Sequence, residues 1–456
     1  MATMAATIGN PDVAAPETAQ ALTRRMSWVL TFALMFFATR GVFSFQHVIS
    51  VSGAYLNAKI LEPREHGFLG YVVLPGFAYA TILYLVLSRF KDVMRCAAHF
   101  KLQTLIAILA VSSILWSQEP SRSALFSLFY LAGVLFAYYI VSTLETEELM
   151  DLLMGTGVAL CVIGLAAVIL FPAIGISAGD DEARAGAWIG IFIDRVSAAK
   201  CLVFLVTPGI MRLTQRCTAP RLAYVALMML MIVRAKVVTA IIAVAAYTVC
   251  VLFLRACRKA GPRMAAGFVA ASVVLTAIGA AVGAQVLPGV LGAFGRNATL
   301  SGRTEVWAAV MRSIDKHPLL GYGYYAFWLG LKGESGNVIH SINWSFGYAH
   351  NELLEIWLQL GIVGVICVAA TFLLAVKNAW YCFRHDQTGR FDWYISLLVV
   401  TLVYNIDEET ILFPNDLLSI LYVVMCCSLA IAVLQIRRDS TGRSQGRYAD
   451  DLSLAG

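Results

Sequence analysis

The chain has 456 residues, 59% of them hydrophobic and only 14% charged, with a mean hydropathy of +0.75. A soluble domain carries about 25% charged residues, so this composition excludes a soluble enzyme and indicates an integral membrane protein. The net charge of +6 does not call for a nucleic-acid partner, because most basic residues fall in short connections where membrane topology accounts for them.

Residues 1–25 are polar at the start and lack the basic-then-apolar pattern of a signal peptide, and they read as a disordered cytoplasmic tail. Candidate membrane-spanning apolar stretches then recur near 27–46, 67–88, 102–116, 122–142, 148–172, 188–211, 221–234, 236–254, 264–287, 351–376, 392–406 and 411–436. The predicted architecture is an all-α polytopic membrane protein with about 12 transmembrane helices: nine in 26–287, a large helical periplasmic loop over 288–350, three more in 351–436, and a cytoplasmic tail over 437–456. The stretches 102–116, 221–234 and 392–406 are the shortest of these. Sidedness follows from charge: Arg89, Lys91, Arg95 and Lys101, then Arg212, Arg216 and Arg221, then Arg255, Arg258, Lys259 and Arg263, then Lys377, Arg384 and Arg390 fall in alternate connections. Cytoplasmic connections hold the excess of Lys and Arg, so both termini are expected inside. The acidic 143–147 connection alone departs from this pattern.

The long loop is polar and aromatic. Val306, Val310 and Ile314, with Trp307 and Met311, have helical spacing, and a helix is expected from Ser301-Gly302 to before Pro318. Gly321 and Gly323 permit tight turns, the Gly/Asn/Ser run after them reads as irregular, and Asn351 is a suitable N-cap for the next helix. The ten cysteines are scattered, with no C-x-x-C, so neither a disulfide framework nor a zinc site is indicated.

His350 is the first candidate for chemistry. Imidazole changes charge near neutral pH and can act as a general base, although an interfacial His bonded to a loop carbonyl is the plainer reading. Arg303 can hold a phosphate through its fork or sit at the headgroups. Arg184 lies just outside the sixth stretch, and Asp194, Arg195 and Lys200 lie within it. A charge inside a span costs about 2.5–3.5 kcal/mol or more, so these residues are expected to pair or to line a polar cavity, and a lipid-linked diphosphate is a natural occupant. Arg234 and Lys236 add cations nearby. The run Tyr322, Tyr324, Tyr325, Phe327 and Trp328 reads as an interfacial belt or a sugar platform. No metal-binding or nucleotide-binding motif is present.

The ordered pieces SGRTEVW, HPLLGYG, AHNELLE and LGIVG, over 301–364, resemble the signature of the O-antigen ligase and polymerase superfamily. That resemblance implies a GT-C-like fold and a metal-independent, inverting glycosyltransferase without cofactor, in a bacterial inner membrane. The implied donor is an undecaprenyl-diphosphate-linked oligosaccharide, and the acceptor a glycan or lipid. Membrane lipids surround it, with a flippase and a chain-length regulator as further partners. By the same resemblance His350 is catalytic, Arg303, Arg184 and Arg195 hold the diphosphate, and Lys200, Asn351, Tyr322 and Tyr324 support them. Val196 stands where Asn is usual, and RAKVVTA (234–240) replaces a common Ser-Arg/Lys-Thr run. Glu408 and Glu409 loosely match an acidic position of the polymerase branch. The surplus of cations leans towards a polymerase over a ligase. A twelve-span transporter or flippase and a non-catalytic export partner are the readings of other classes.

Overall fold

The computed structural model describes residues 17–39, 74–178, 185–260, 303–342, 347–386, 388–406, 408–414 and 416–453, with side chains throughout except 17–23, 74 and 439–453. Among them the elements are α1 (Glu17–Ala38), α2 (Leu74–Ser88), α3 (Phe90–His99), α4 (Lys101–Ser112), α5 (Pro120–Thr143), α6 (Thr146–Leu170), the single turn α7 (Pro172–Gly175), α8 (Arg195–Gln215), α9 (Ala219–Arg234), α10 (Val238–Ala260), α11 (Arg303–Ile314), α12 (Gly333–Ile342), α13 (Glu352–His385), α14 (Asp392–Asn405) and α15 (Leu417–Ser453). No strand occurs among the described residues, only an isolated bridge between Ile176 and Trp188.

Among the described residues six helices are long and apolar enough to cross a membrane: α5, α6, α8, α10, α13 and the 417–438 part of α15. The pair α3 and 101–115, bent by 96°, makes up to seven. The chain is therefore a multi-pass membrane protein, and the twelve expected spans are met only in part. The segments near 221–234 and 392–406 are helices, α9 and α14, of 16 and 14 residues, and 264–287 lies outside the described residues. Two tail boundaries shift, because α1 begins at Glu17 and α15 continues to Ser453.

The centre of the bundle is α15. Of its apolar window 89% is buried, against 39% for α10 and for α13. It packs on α13 and α5, while α10 lies on α14 and α8 on α9 and α6. The acidic 143–147 connection has a local explanation. Glu145 and Glu148 form a capping box at the start of α6, which satisfies otherwise unpaired amides, and Arg212 at the end of α8 pairs with Glu147 at 2.9 Å and Asp151 at 3.0 Å.

The loop segment is folded onto the bundle. Val306, Val310, Ile314, Tyr322, Phe327 and Trp328 form a core of their own, with Leu358 of α13. The connection before α5 and the first turn of α5 pin it: Gln118 N donates to Tyr322 O at 3.0 Å, Ser123 Oγ to Tyr324 O at 2.8 Å and Arg122 Nε to Tyr325 O at 2.9 Å. The aromatic run is thus buried inside the loop, with Tyr324 0% and Phe327 1% exposed, instead of forming a belt. The Gly/Asn/Ser run is helical (α12), because Val338 and Ile339 bury against the loop core while Gly336 packs against Leu331 O.

Helix α13 is broken at Gly361, whose φ is 68°. The carbonyls freed by the break are met by the LLGYG turn, where Tyr322 N donates to Leu358 O at 2.8 Å and Gly323 N to Gln359 O at 3.1 Å. Ile362 N in turn donates to Pro318 O at 2.9 Å. A Cβ on Gly361 would lie 2.1 Å from Leu319 O, and one on Gly321 2.6 Å from Leu358 O, so only glycine lets these two backbones approach.

Candidate functional site

The start of α13 and the chain before it build the site. Asn351 is the N-cap, its Oδ1 accepting from Leu354 N at 3.1 Å, while its Nδ2 donates to Ile406 O at 3.2 Å. His350, just before the cap, has a φ of 50°, a conformation that costs a non-glycine residue about 1–3 kcal/mol. Its neighbours hold it there. Trp307 Nε1 of α11 donates to Ala349 O at 3.0 Å, and Ala349 N donates to Glu355 Oε2 at 2.9 Å.

His350 Nδ1 is buried and faces Glu408 Oε1 at 3.7 Å, an ion-pair distance. Tyr348 stacks obliquely on the imidazole, ring centroids 3.9 Å apart, and its hydroxyl donates to Glu408 Oε2 at 3.1 Å. Burial raises the Glu408 carboxyl, but His350, Lys200 and the Tyr348 hydroxyl more than offset it and hold the group below the ordinary carboxylate range. Glu408 is therefore an anion behind the imidazole. Burial, then Glu408 and Asp194, push the Tyr348 phenol well up, while Arg303 acts against them. Arg303, Asp194, Glu408 and His350 thus share one neighbourhood around Tyr348.

Two arrangements differ from the sequence expectation. Asp194 is not inside a span. Helix α8 starts at Arg195, and Asp194 is its N-cap, accepting from Val196 N at 2.8 Å and Ser197 N at 2.9 Å. Arg195 Nη1 donates to Lys236 O at 2.7 Å, tying the start of α8 to the α9–α10 turn, and Lys236 Nζ donates to Ala185 O at 2.7 Å. Lys200 is within the helix and 9% exposed, its ammonium donating to Glu409 O at 3.0 Å over the Phe413 ring at 5.3 Å. Arg234 stacks on Trp188 at 4.8 Å. Arg184 falls outside the described residues. Tyr322 and Tyr324 commit their hydroxyls to the carbonyls of Ser313 and Leu412, which makes them braces of the loop.

Sequence reading passed over a buried polar stripe on α13. Glu352 accepts from the backbone amides of Thr410, Ile411 and Leu412. Glu355 accepts from Trp328 Nε1 at 3.1 Å, and Gln359 Nε2 reaches Glu355 at 3.0 Å and Glu409 at 3.3 Å. Glu355 and Glu352 beside it, with burial first, push the Glu409 carboxyl well up. The signal was present: polar residues at i, i+3 and i+7 share one helix face, and buried charge in an apolar helix is costly.

Residues 223–369 match the family described as O-Antigen ligase. That region carries Arg303, His350 and Asn351 and stops short of Arg195, Lys200 and Glu408 on either side. The Exopolysaccharide production protein ExoQ of Rhizobium meliloti (strain 1021) is 32% identical over 115 residues, covering 24% of this chain and 26% of that protein. The chain thus matches only about a quarter of the length of this curated relative. Both likenesses are partial, one over residues 223–369 and the other over about a quarter of each chain.

Proposed function

We propose that the protein is a polymerase of a surface polysaccharide, joining lipid-diphosphate-linked repeat units at the outer face of the cytoplasmic membrane by inverting glycosyl transfer. The observation that carries this is the buried contact of His350 with Glu408 under the Tyr348 ring. In the proposed step the acceptor hydroxyl attacks the anomeric carbon. The bond from that carbon to the diphosphate oxygen breaks, and its electron pair leaves with the diphosphate. Charge grows on the leaving oxygens, and fixed cations there lower the barrier. Arg303, Arg195 and Arg184 supply them, with Lys200 behind. His350 takes the acceptor proton on Nε2, since Nδ1 is turned inward to Glu408. The surplus of cations in the sequence at 184, 195, 200, 234 and 236 would suit two diphosphates and so favours polymerisation over ligation.

The test is the full chain in proteoliposomes given only a lipid-diphosphate oligosaccharide. A ladder of products is expected. His350→Ala, inserted at the wild-type level, should slow it about 10²–10⁴-fold, the usual contribution of a general base. Wild-type ladders from His350→Ala would end the assignment, and transfer that occurs only when a separate lipid acceptor is added would replace polymerase by ligase.

A further inference from the structure

At the other end of α13 from His350, a cleft of about 240 Å³ opens between the last turns of α13 and the middle of α15. Lys377, Arg384 and His385 of α13 and Arg437 of α15 line it, with Trp380 and Tyr381. Among the described residues no carboxylate lines it. In the next connection Asp386 Oδ1 accepts from Thr388 N at 3.1 Å and from its hydroxyl at 2.6 Å while its Oδ2 is buried, and Asp392 at the start of α14 pairs with Arg258. Two rings hold the guanidinium groups in place, with Arg384 lying 6.0 Å from the Trp380 centroid and Arg437 5.2 Å from that of Tyr381. Tyr381 also stacks on His385 at 4.1 Å.

Basic residues at a helix end suit its dipole and the inside of a membrane, but neither effect requires two helices to converge on one hollow. The face of α13 leading to it is graded. Leu373 (66% exposed), Lys377, Trp380 (48% exposed) and Arg384 follow at i, i+4, i+7 and i+11, which is one side of a helix. Along that side an apolar surface gives way to cations within about 16 Å. A soluble anion would need only the cations. A phospholipid needs both, acyl chain along Leu373 and phosphate among Lys377, Arg384 and Arg437.

We propose that this cleft binds the phosphate of an anionic phospholipid headgroup, separate from the site around His350. Basic pockets between membrane helices recognise such lipids through charge.

The detergent-purified full chain is titrated with phosphatidylglycerol, phosphatidylcholine or inorganic phosphate, and bound lipid is counted by native mass spectrometry. Phosphatidylglycerol should bind at least about tenfold more tightly than phosphatidylcholine, and Arg384→Gln/Arg437→Gln should remove that preference, each lost cation weakening binding severalfold. Arg384→Lys/Arg437→Lys should retain most of it. Equal binding of the two lipids, or an unchanged preference in the glutamine variant, overturns the proposal. Inorganic phosphate that displaces phosphatidylglycerol at equal concentration would show a soluble-anion site and overturn the headgroup assignment. If the glutamine variant does not fold, Lys377→Gln decides: weaker phosphatidylglycerol binding supports the site, and unchanged binding overturns it.

Discussion

His350 sits in a left-handed backbone conformation that its own side chain disfavours, and the cost is borne by bonds on either side of it. Trp307 and Glu355 fix Ala349, Asn351 caps α13, and Glu408 meets the ring. Glu408 has the clearest pH signature. Its carboxyl is held below the ordinary range in the folded protein, so its contribution to stability is complete above the unfolded carboxylate pKa and is lost only as pH falls through the lowered value. Glu408→Gln keeps the hydroxyl contact of Tyr348 and removes the charge. Orienting partners of this kind are worth about 10–100-fold in activity, and that loss of kcat is expected here. Full kcat in Glu408→Gln would show that Glu408 only fills space.

The elements explain why short sequence pieces far apart belong together. HPLLGYG and LGIVG are the two halves of one backbone contact, in which the break at Gly361 exposes carbonyls and the turn at Gly321–Gly323 covers them. Gly361→Ala places a methyl against Leu319 O and strains a φ of 68°, so it should cost more than about 3 kcal/mol. Gly186→Ala has a similar φ of 74° but open space around the new methyl, and about 1 kcal/mol is expected. Thermal unfolding in detergent compares them, and equal losses would refute the packing account. The helix from Arg303, the cap at Asn351 and the glycine turns were legible in the sequence because each is a local signal. The helix at 333–342 was not, since its composition suits a loop and burial of Val338 and Ile339 decides its shape. Nor was the role of Asp194. Hydropathy runs continuously from 188 to 211, while the helix begins only where a side chain can cap it.

At the scale of the molecule, charge distribution and helix length divide the information between them. Apolar runs located the long helices α5, α6, α10 and α13 closely, yet their number could not fix the span count, because short helices such as α9 and α14 pack inside the bundle with the same composition. The expected sidedness is open to a direct test. Cys217 is exposed in the connection between α8 and α9. As the sole cysteine it should react with an impermeant maleimide only in inverted vesicles, whereas Thr304→Cys, on an exposed position of α11, should react in intact spheroplasts. Labelling of both from one side would refute the expected sidedness, and the swapped pattern would reverse it. The grip of Glu352 on the amides of 410–412 has a practical outcome for genetics. It makes the imidazole and its carboxylate partner travel as one block, bolted through Ala349 and Trp328 to the aromatic turn. Inactivating lesions recovered at Trp307, Trp328 or Glu355 will therefore mimic damage to the reacting groups, although none of these side chains needs to touch a sugar.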